Sequence, residues 1–192
     1  MLYLNDHIWD FDLNEALAQL SPQRREQALR FKHEQGQRTC ALAYLLLCEG
    51  LEKEYGITAK PVFDYGEHGK PFIVGHADIH FNMSHCREAV VCYVSNRPVG
   101  IDVESVRDYK EQLARHTMND EEMRQISASD CPALAFTRLW TMKEAVQKLS
   151  GRGLVDDMKS ILKNLPSELT TTVSPDGRYV YSIAKLTYGQ HT

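Results

Sequence analysis

The chain has 192 residues, a formal net charge of -4, 43% hydrophobic residues and 25% charged residues. That balance suits one large domain, or two small halves sharing a core, and excludes a disordered chain or a collagen-like fibre. A pI of about 6.1 argues against a chain that coats nucleic acid. The longest purely apolar run, Ala41–Cys48, is far short of the roughly 20 residues a membrane span needs, so no membrane partner is expected. Asp6, Asp10 and Asp12 stand where a secretory signal would carry basic and then apolar residues. The 5 cysteines are odd in number and none is spaced C-x-x-C, which points to reduced thiols and a cytoplasmic location.

In chain order, residues 1–9 suit a first strand. Ser21-Pro22 reads as an N-cap followed by proline at the first helical position, opening a helix to Phe31. The strongest helical pattern runs from Gln37 to Tyr55, with Gly56 as its C-cap. Short strands follow: Pro61–Tyr65 and Pro71–Val74 around the turn Gly66–Gly69, then Ile79–Met83, Ala89–Val94 and Val99–Glu104. Residues 108–128 suit one or two exposed helices. Pro132–Leu149 is a second long helix with Leu139, Met142, Val146 and Leu149 on its core side, stopped at Ser150-Gly151. Leu169–Val173 and Arg178–Leu186 flank a turn at Pro175–Gly177. The expected class is α+β: two similar halves, 1–98 and 99–192, each a long helix on a mostly antiparallel sheet.

Two segments carry chemistry. In Val99-Gly100-Ile101-Asp102-Val103-Glu104, alternation turns the three β-branched residues to one face and Gly100, Asp102 and Glu104 to the other. Carboxylates at i and i+2, about 7 Å apart at their backbones, repel unless a cation sits between them, and Mg²⁺ suits such oxygens. Gly100 lets something approach the backbone closely. The same pair would also suit a solvent-exposed strand face. In the helix, Trp140, Glu144 and Lys148 share one stripe, which could be a surface ion pair or could add a third acid and an ammonium for a metal-bound pyrophosphate. His76 and His80 lack the surroundings of a zinc pair. Ser84-His85 is a poor nucleophile and base, because adjacent strand residues face opposite ways.

These pieces resemble a known family. Phe31-Lys32-His33 through Arg38-Thr39, Gly69-Lys70-Pro71, Phe81-Asn82-Met83-Ser84-His85, Gly100–Glu104, Trp140–Ala145 with Lys148, and Gly151-Arg152-Gly153-Leu154 occur in the order found in 4'-phosphopantetheinyl transferases of the two-halved, surfactin-synthetase-activator type. The resemblance implies transfer of 4'-phosphopantetheine from coenzyme A to a serine of an acyl or peptidyl carrier protein, Mg²⁺-dependent (Mn²⁺ as an alternative), with adenosine 3',5'-bisphosphate released. It implies that Asp102, Glu104 and Glu144 hold the metal and that Lys148 binds the pyrophosphate. Lys70, Pro71, Ser84 and His85, with Arg24 and Arg38, would bind the nucleotide end. Glu122 is the expected base, in a segment where the family places an acid. The resemblance also implies a monomer with the active site between the two halves.

Gln27 stands where a second basic residue is common, and Cys86 where serine is frequent. Docking of an acidic carrier would use a local patch, for which Arg107, Lys110, Arg115 and Arg124 with Met118 and Met123 are the candidates. The alternatives are an inactive module that binds coenzyme A or carrier, and a Mg²⁺-dependent nucleotide hydrolase.

Overall fold

A computed structural model of the chain describes residues 1–151, 157–163, 165 and 167–186. The elements are β1 (Leu2–Asn5), α1 (Leu13–Gln19), α2 (Pro22–Leu29), α3 (Glu34–Tyr55), β2 (Phe63–Tyr65), β3 (Pro71–Ile73), β4 (His80–His85), β5 (Val90–Ser95), β6 (Val99–Ser105), α4 (Glu111–Thr117), α5 (Asp120–Ala128), α6 (Pro132–Ser150), β7 (Ser167–Val173) and β8 (Tyr179–Leu186). Their sheets are ordered β1-β5-β4, β2-β3 and β6-β8-β7, every pair antiparallel. The class is α+β, as expected. Of the matched turn after α6, Arg152–Leu154 lie outside the described residues, as do residues 187–192. Among the described residues no helix is long and apolar enough to cross a membrane.

The local signals act as their chemistry requires. Ser21 Oγ accepts from Arg24 N at 3.2 Å and Pro22 opens α2. Gly56 and Gly151 end α3 and α6 at φ 69° and 65°, where a side chain would be strained. Helix α1 has no counterpart in the expectation. Asp12 caps it by accepting from Glu15 N at 3.0 Å, and Ala16 and Leu17 are its buried residues, an apolar pattern too short to announce a helix. The N-terminal region therefore carries α1 and α2 beside its long helix, and β1 is shorter than the expected first strand.

Alternation along β5 and β6 builds the layers. Val90, Cys92 and Val94 pack with Leu42, Leu46, Leu47 and Leu51 of α3. Ala89 and Val91 pack the other way, with Val99, Ile101 and Val103 of β6 and Tyr179 and Ile183 of β8. The first sheet thus lies between α3 and the second sheet, and α6 covers the second sheet's far face through Ala145, Leu149 and Ala184. Ile101 N donates to Asn82 Oδ1 at 3.0 Å, joining β6 to β4.

The reverse face of β6 is buried, not solvated. A Cβ on Gly100 would stand 2.0 Å from Ala145 O and 2.4 Å from Leu149 N, so the approach that this glycine permits is that of α6 itself. The buried face of α6 also differs from expectation. Thr141, Ala145 and Leu149 lie against the sheet, while Leu139, Met142 and Val146 are only half-buried. Thr141 can sit inside because its Oγ1 is 2.8 Å from Ser182 Oγ, which in turn is 2.9 Å from Thr171 Oγ1.

Gly100→Ala should push α6 off β6. In chemical denaturation the expected loss exceeds about 3 kcal/mol, because backbone atoms cannot yield as a flexible side chain can. A loss below about 1 kcal/mol would mean that α6 can retreat freely.

Candidate active site

The acidic centre grows from the facing stripes of β6 and α6. Trp140 Nε1 donates to Glu104 Oε1 at 3.4 Å, and two turns further on Lys148 Nζ meets Asp102 Oδ1 at 2.6 Å. Ser84 of β4 closes a triangle, donating to Asp102 Oδ1 at 2.8 Å and accepting from Lys148 Nζ at 3.0 Å. Asp102 is 3% exposed. Its Oδ2 is buried without a hydrogen-bond partner, an arrangement that is costly unless a cation or donor reaches it. Burial, then the charge of Asp102, raises the pKa of both Glu104 and Glu144, and Lys148 opposes the shift in each.

Asp102 therefore repels both Glu104 and Glu144, and the Lys148 ammonium offsets its charge on each. Hard oxygen donors with an unmet buried lone pair fit a divalent cation such as Mg²⁺ or Mn²⁺. Among the described residues, however, no three carboxylate, imidazole or thiol side chains are gathered tightly enough to enclose a metal ion. The neighbour of Asp102 is Lys148.

Lys70 is placed differently from a free phosphate ligand. Its Nζ donates to Lys148 O at 2.7 Å, Val99 O at 3.2 Å and Leu149 O at 3.3 Å, which engages every proton of the ammonium. It caps the C-terminal carbonyls of α6 and ties them to the start of β6, a favourable place for a cation. Burial lowers its pKa. Beside it opens a cleft of about 290 Å³ lined by Gly69, Lys70, Pro71, Asn82, Glu144 and Lys148.

A basic pocket of about 370 Å³ lies on the other side of β4, lined by residues including Lys32, His33, Thr39, His85 and Arg87. The protein packed around the His85 ring, then the positive charges of Lys148 and Arg24, hold its pKa below the ordinary histidine value. Arg24 Nε is buried without a partner, while its Nη1 donates to Gln27 Oε1 at 2.9 Å. Arg38 is engaged elsewhere. It donates to Phe11 O at 2.8 Å, pairs with Glu34 at 2.7 Å, and lies between the Trp9 and Phe11 rings at 5.0 and 4.9 Å. It tethers the segment before α1. Lys32 and His33 lie within the matched Phe31–Thr39 motif but were given no role there, and Arg87 lies two residues beyond the matched Phe81–His85.

Glu122 belongs to a structural knot. Its Oε2 accepts from Asn119 N at 2.8 Å, its own N–H donates to Asn119 Oδ1 at 3.0 Å, and Lys143 Nζ lies 2.8 Å away. Asn119-x-x-Glu122 is a capping box, a pattern present in the sequence. Lys143 is 0% exposed and donates also to Met158 O at 2.7 Å. Glu122 is 5% exposed, so a buried cation and a helix cap occupy the carboxylate expected to be the base.

The expected docking patch is also reshaped. Arg115 pairs with Glu111 and Arg124 with Glu121, while Met118 is buried and Met123 packs on the core of α4–α6. Arg107 and Lys110 instead line a groove of about 500 Å³ with Glu104, Leu113 and the stacked rings of Tyr109, Phe136 and Trp140.

Two outcomes follow from these charges. Glu144 has a folded-state pKa above its unfolded value, so its stabilising contribution is present below the unfolded pKa of 4.5 and is lost as pH rises through the folded one. Glu144→Gln should therefore raise Tm at pH 7 by roughly 2 °C and leave it nearly unchanged at pH 4, read by thermal melts at both pH values. Glu122→Gln weakens a cap and strips a buried lysine of its counter-charge. It should lower stability by about 2 kcal/mol or more, and an isosteric variant as stable as the parent would return Glu122 to a chemical role.

A sequence profile of the 4'-phosphopantetheinyl transferase superfamily matches residues 98–188, which include the β6 acids and the α6 stripe. The chain is 30% identical over 165 residues to a 4'-phosphopantetheinyl transferase of Bacillus subtilis, covering 84% of this chain and 74% of that protein. It is 31% identical over 138 residues to 4'-phosphopantetheinyl transferase Sfp of Bacillus subtilis (strain 168), covering 70% of this chain and 62% of that protein. With 4'-phosphopantetheinyl transferase gsp of Aneurinibacillus migulanus it shares 30% identity over 154 residues, covering 79% and 62% respectively. Matched both across most of its length and over the strand and helix that build the acidic centre, the chain belongs to the 4'-phosphopantetheinyl transferase superfamily.

Proposed function

We propose that this chain transfers 4'-phosphopantetheine from coenzyme A to a serine of an acyl or peptidyl carrier protein, with Mg²⁺ or Mn²⁺ as cofactor. The observation that carries the reading is Asp102, buried between β6 and α6 with one oxygen on Lys148 and the other without a partner. Asp102, Glu104 and Glu144 would hold the cation, whose chemistry is to neutralise the diphosphate in the transition state. Lys148, partly exposed at the cleft, would bind the diphosphate oxygens. Arg24, Lys32, His33 and His85 would take the nucleotide end, whose phosphates suit the charges of Lys32, Arg87 and Arg24 in and around that pocket.

In the transfer, the serine oxygen bonds to the β-phosphorus as the bond from that phosphorus to the bridging oxygen breaks. The leaving group is adenosine 3',5'-bisphosphate, and the hydroxyl proton goes to solvent or a nearby acceptor. Such transfer depends on positioning and charge neutralisation more than on covalent catalysis. The carrier would approach along the Tyr109–Phe136–Trp140 groove, since Glu104 forms part of both that groove and the acidic centre. On this reading residues 1–98 and 99–192 act as two halves, supported by one long helix on each three-stranded sheet. The unpaired thiols suit a monomer in the cytoplasm.

The test incubates the chain with coenzyme A, Mg²⁺ and an apo carrier protein, then weighs the carrier. A phosphopantetheine adduct is expected, and Asp102→Asn should lower its rate at least about 10²-fold. An unchanged carrier with coenzyme A bound would make the chain a binding module. Cleaved coenzyme A beside an unmodified carrier would make it a hydrolase.

A further inference from the structure

We propose that Lys148 is the resident counter-ion of the acidic centre and couples entry of the divalent cation to entry of coenzyme A. Its ammonium neutralises Asp102 while no ligand is bound, and leaves for the diphosphate when the cation takes its place. The proposal rests on the reading of Asp102, Glu104 and Glu144 as a cation site.

The geometry supplies each part. Lys148 Nζ lies 2.6 Å from Asp102 Oδ1 and 3.0 Å from Ser84 Oγ, a closed triangle that compensates the buried carboxylate. The triangle leaves Asp102 Oδ2 without a partner, so the compensation is partial and a better-fitting cation can replace it. Lys148 is also the positive charge common to Glu104 and Glu144, joined at Glu104 by Arg107. The side chain is 29% exposed and forms part of the cleft wall, which gives its head somewhere to go. Its backbone has no such freedom: Lys70 holds the Lys148 carbonyl at 2.7 Å, and Gly100 lets Leu149 N rest against β6. The ammonium can swing while its Cα stays fixed.

A cation arriving alone must break this pair and leave an ammonium beside it. One arriving with a diphosphate meets an ammonium already drawn to the phosphate oxygens. Cation and coenzyme A therefore strengthen each other's binding, reciprocally. Lys148 has two partners in the reaction, a carboxylate before the ligands bind and a phosphate after.

Mn²⁺ binding to the full chain, read from the electron paramagnetic resonance of the free ion, tests this without turnover. In the absence of coenzyme A, Lys148→Met should bind Mn²⁺ at least about 10-fold more tightly than the parent, and the gain that coenzyme A confers should shrink. Lys148→Arg keeps the charge and should stay near the parent. Equal or weaker Mn²⁺ binding by Lys148→Met, or equal tightening by the arginine variant, overturns the proposal. Should Lys148→Met fail to fold, the ammonium is followed in the parent by lysine side-chain ¹⁵N spectra. A Lys148 signal protected without ligand must lose that protection when Mg²⁺ and coenzyme A are added, and an unmoved signal overturns the proposal. Carrier modification is weighed with the parent chain. Transfer by the parent with unchanged Mn²⁺ binding in Lys148→Met sinks the counter-ion alone; tightened Mn²⁺ binding in Lys148→Met without transfer by the parent supports the counter-ion and sinks the transferase reading alone.

Discussion

A carboxylate shut between a strand and a helix constrains much of this molecule. Burying Asp102 carries a desolvation penalty of several kcal/mol unless charge and hydrogen bonds offset it. The offset comes from Lys148 on α6 and Ser84 on β4, which reach the same oxygen. They can do so only because α6 lies at backbone contact distance from β6, and only a residue without a Cβ at position 100 allows that. Asn82 then fixes β6 against β4, and Lys70 fixes the end of α6 against the start of β6. Strand, helix, hairpin and neighbouring sheet are thus held by contacts lying close to one buried charge.

What could be read from the sequence was local. Alternation along Val99–Glu104, the stripe of Trp140, Glu144 and Lys148, the Ser21-Pro22 helix start and the stops at Gly56 and Gly151 depend on chain periodicity and backbone conformation. These hold whatever surrounds them. The helix α1 escaped because it is short and buries only Ala16 and Leu17. The core face of α6 escaped because Thr141 is apolar enough to bury only when Ser182, 41 positions away, supplies a hydroxyl.

Site residues were legible as chemical types and not as partners. Lys70, Arg38 and Glu122 each have the charge that a phosphate, nucleotide or base role requires. What each charge meets is decided by distant chain. Lys70 finds a carbonyl 78 positions away, Arg38 one 27 positions away, and Glu122 a lysine in the helix after its own. A lone charged side chain takes the nearest acceptor or donor that lets it be buried without loss. Two local partners stood in the sequence as well, Asn119 three residues before Glu122 and Glu34 four residues before Arg38.

The same logic shows how a chain of net negative charge can offer itself to a polyanion. Net charge governs long-range approach, whereas binding depends on where the charges sit. Strand β4 divides them. Ser84 points to the acidic centre and His85, one residue on, to the basic pocket, because adjacent strand residues face opposite ways. The charges still sense each other through the strand, since Lys148 and Arg24 lower the His85 pKa and Asp102 raises it. A ligand with phosphates at both ends of a nucleotide would meet both faces at once only in company with a divalent cation. One end would meet the positive charges around His85, while the other would draw Lys148 from Asp102 and leave that carboxylate to the cation. Phosphate alone would strip Asp102 of its counter-charge, so ligand and cation settle the two faces together.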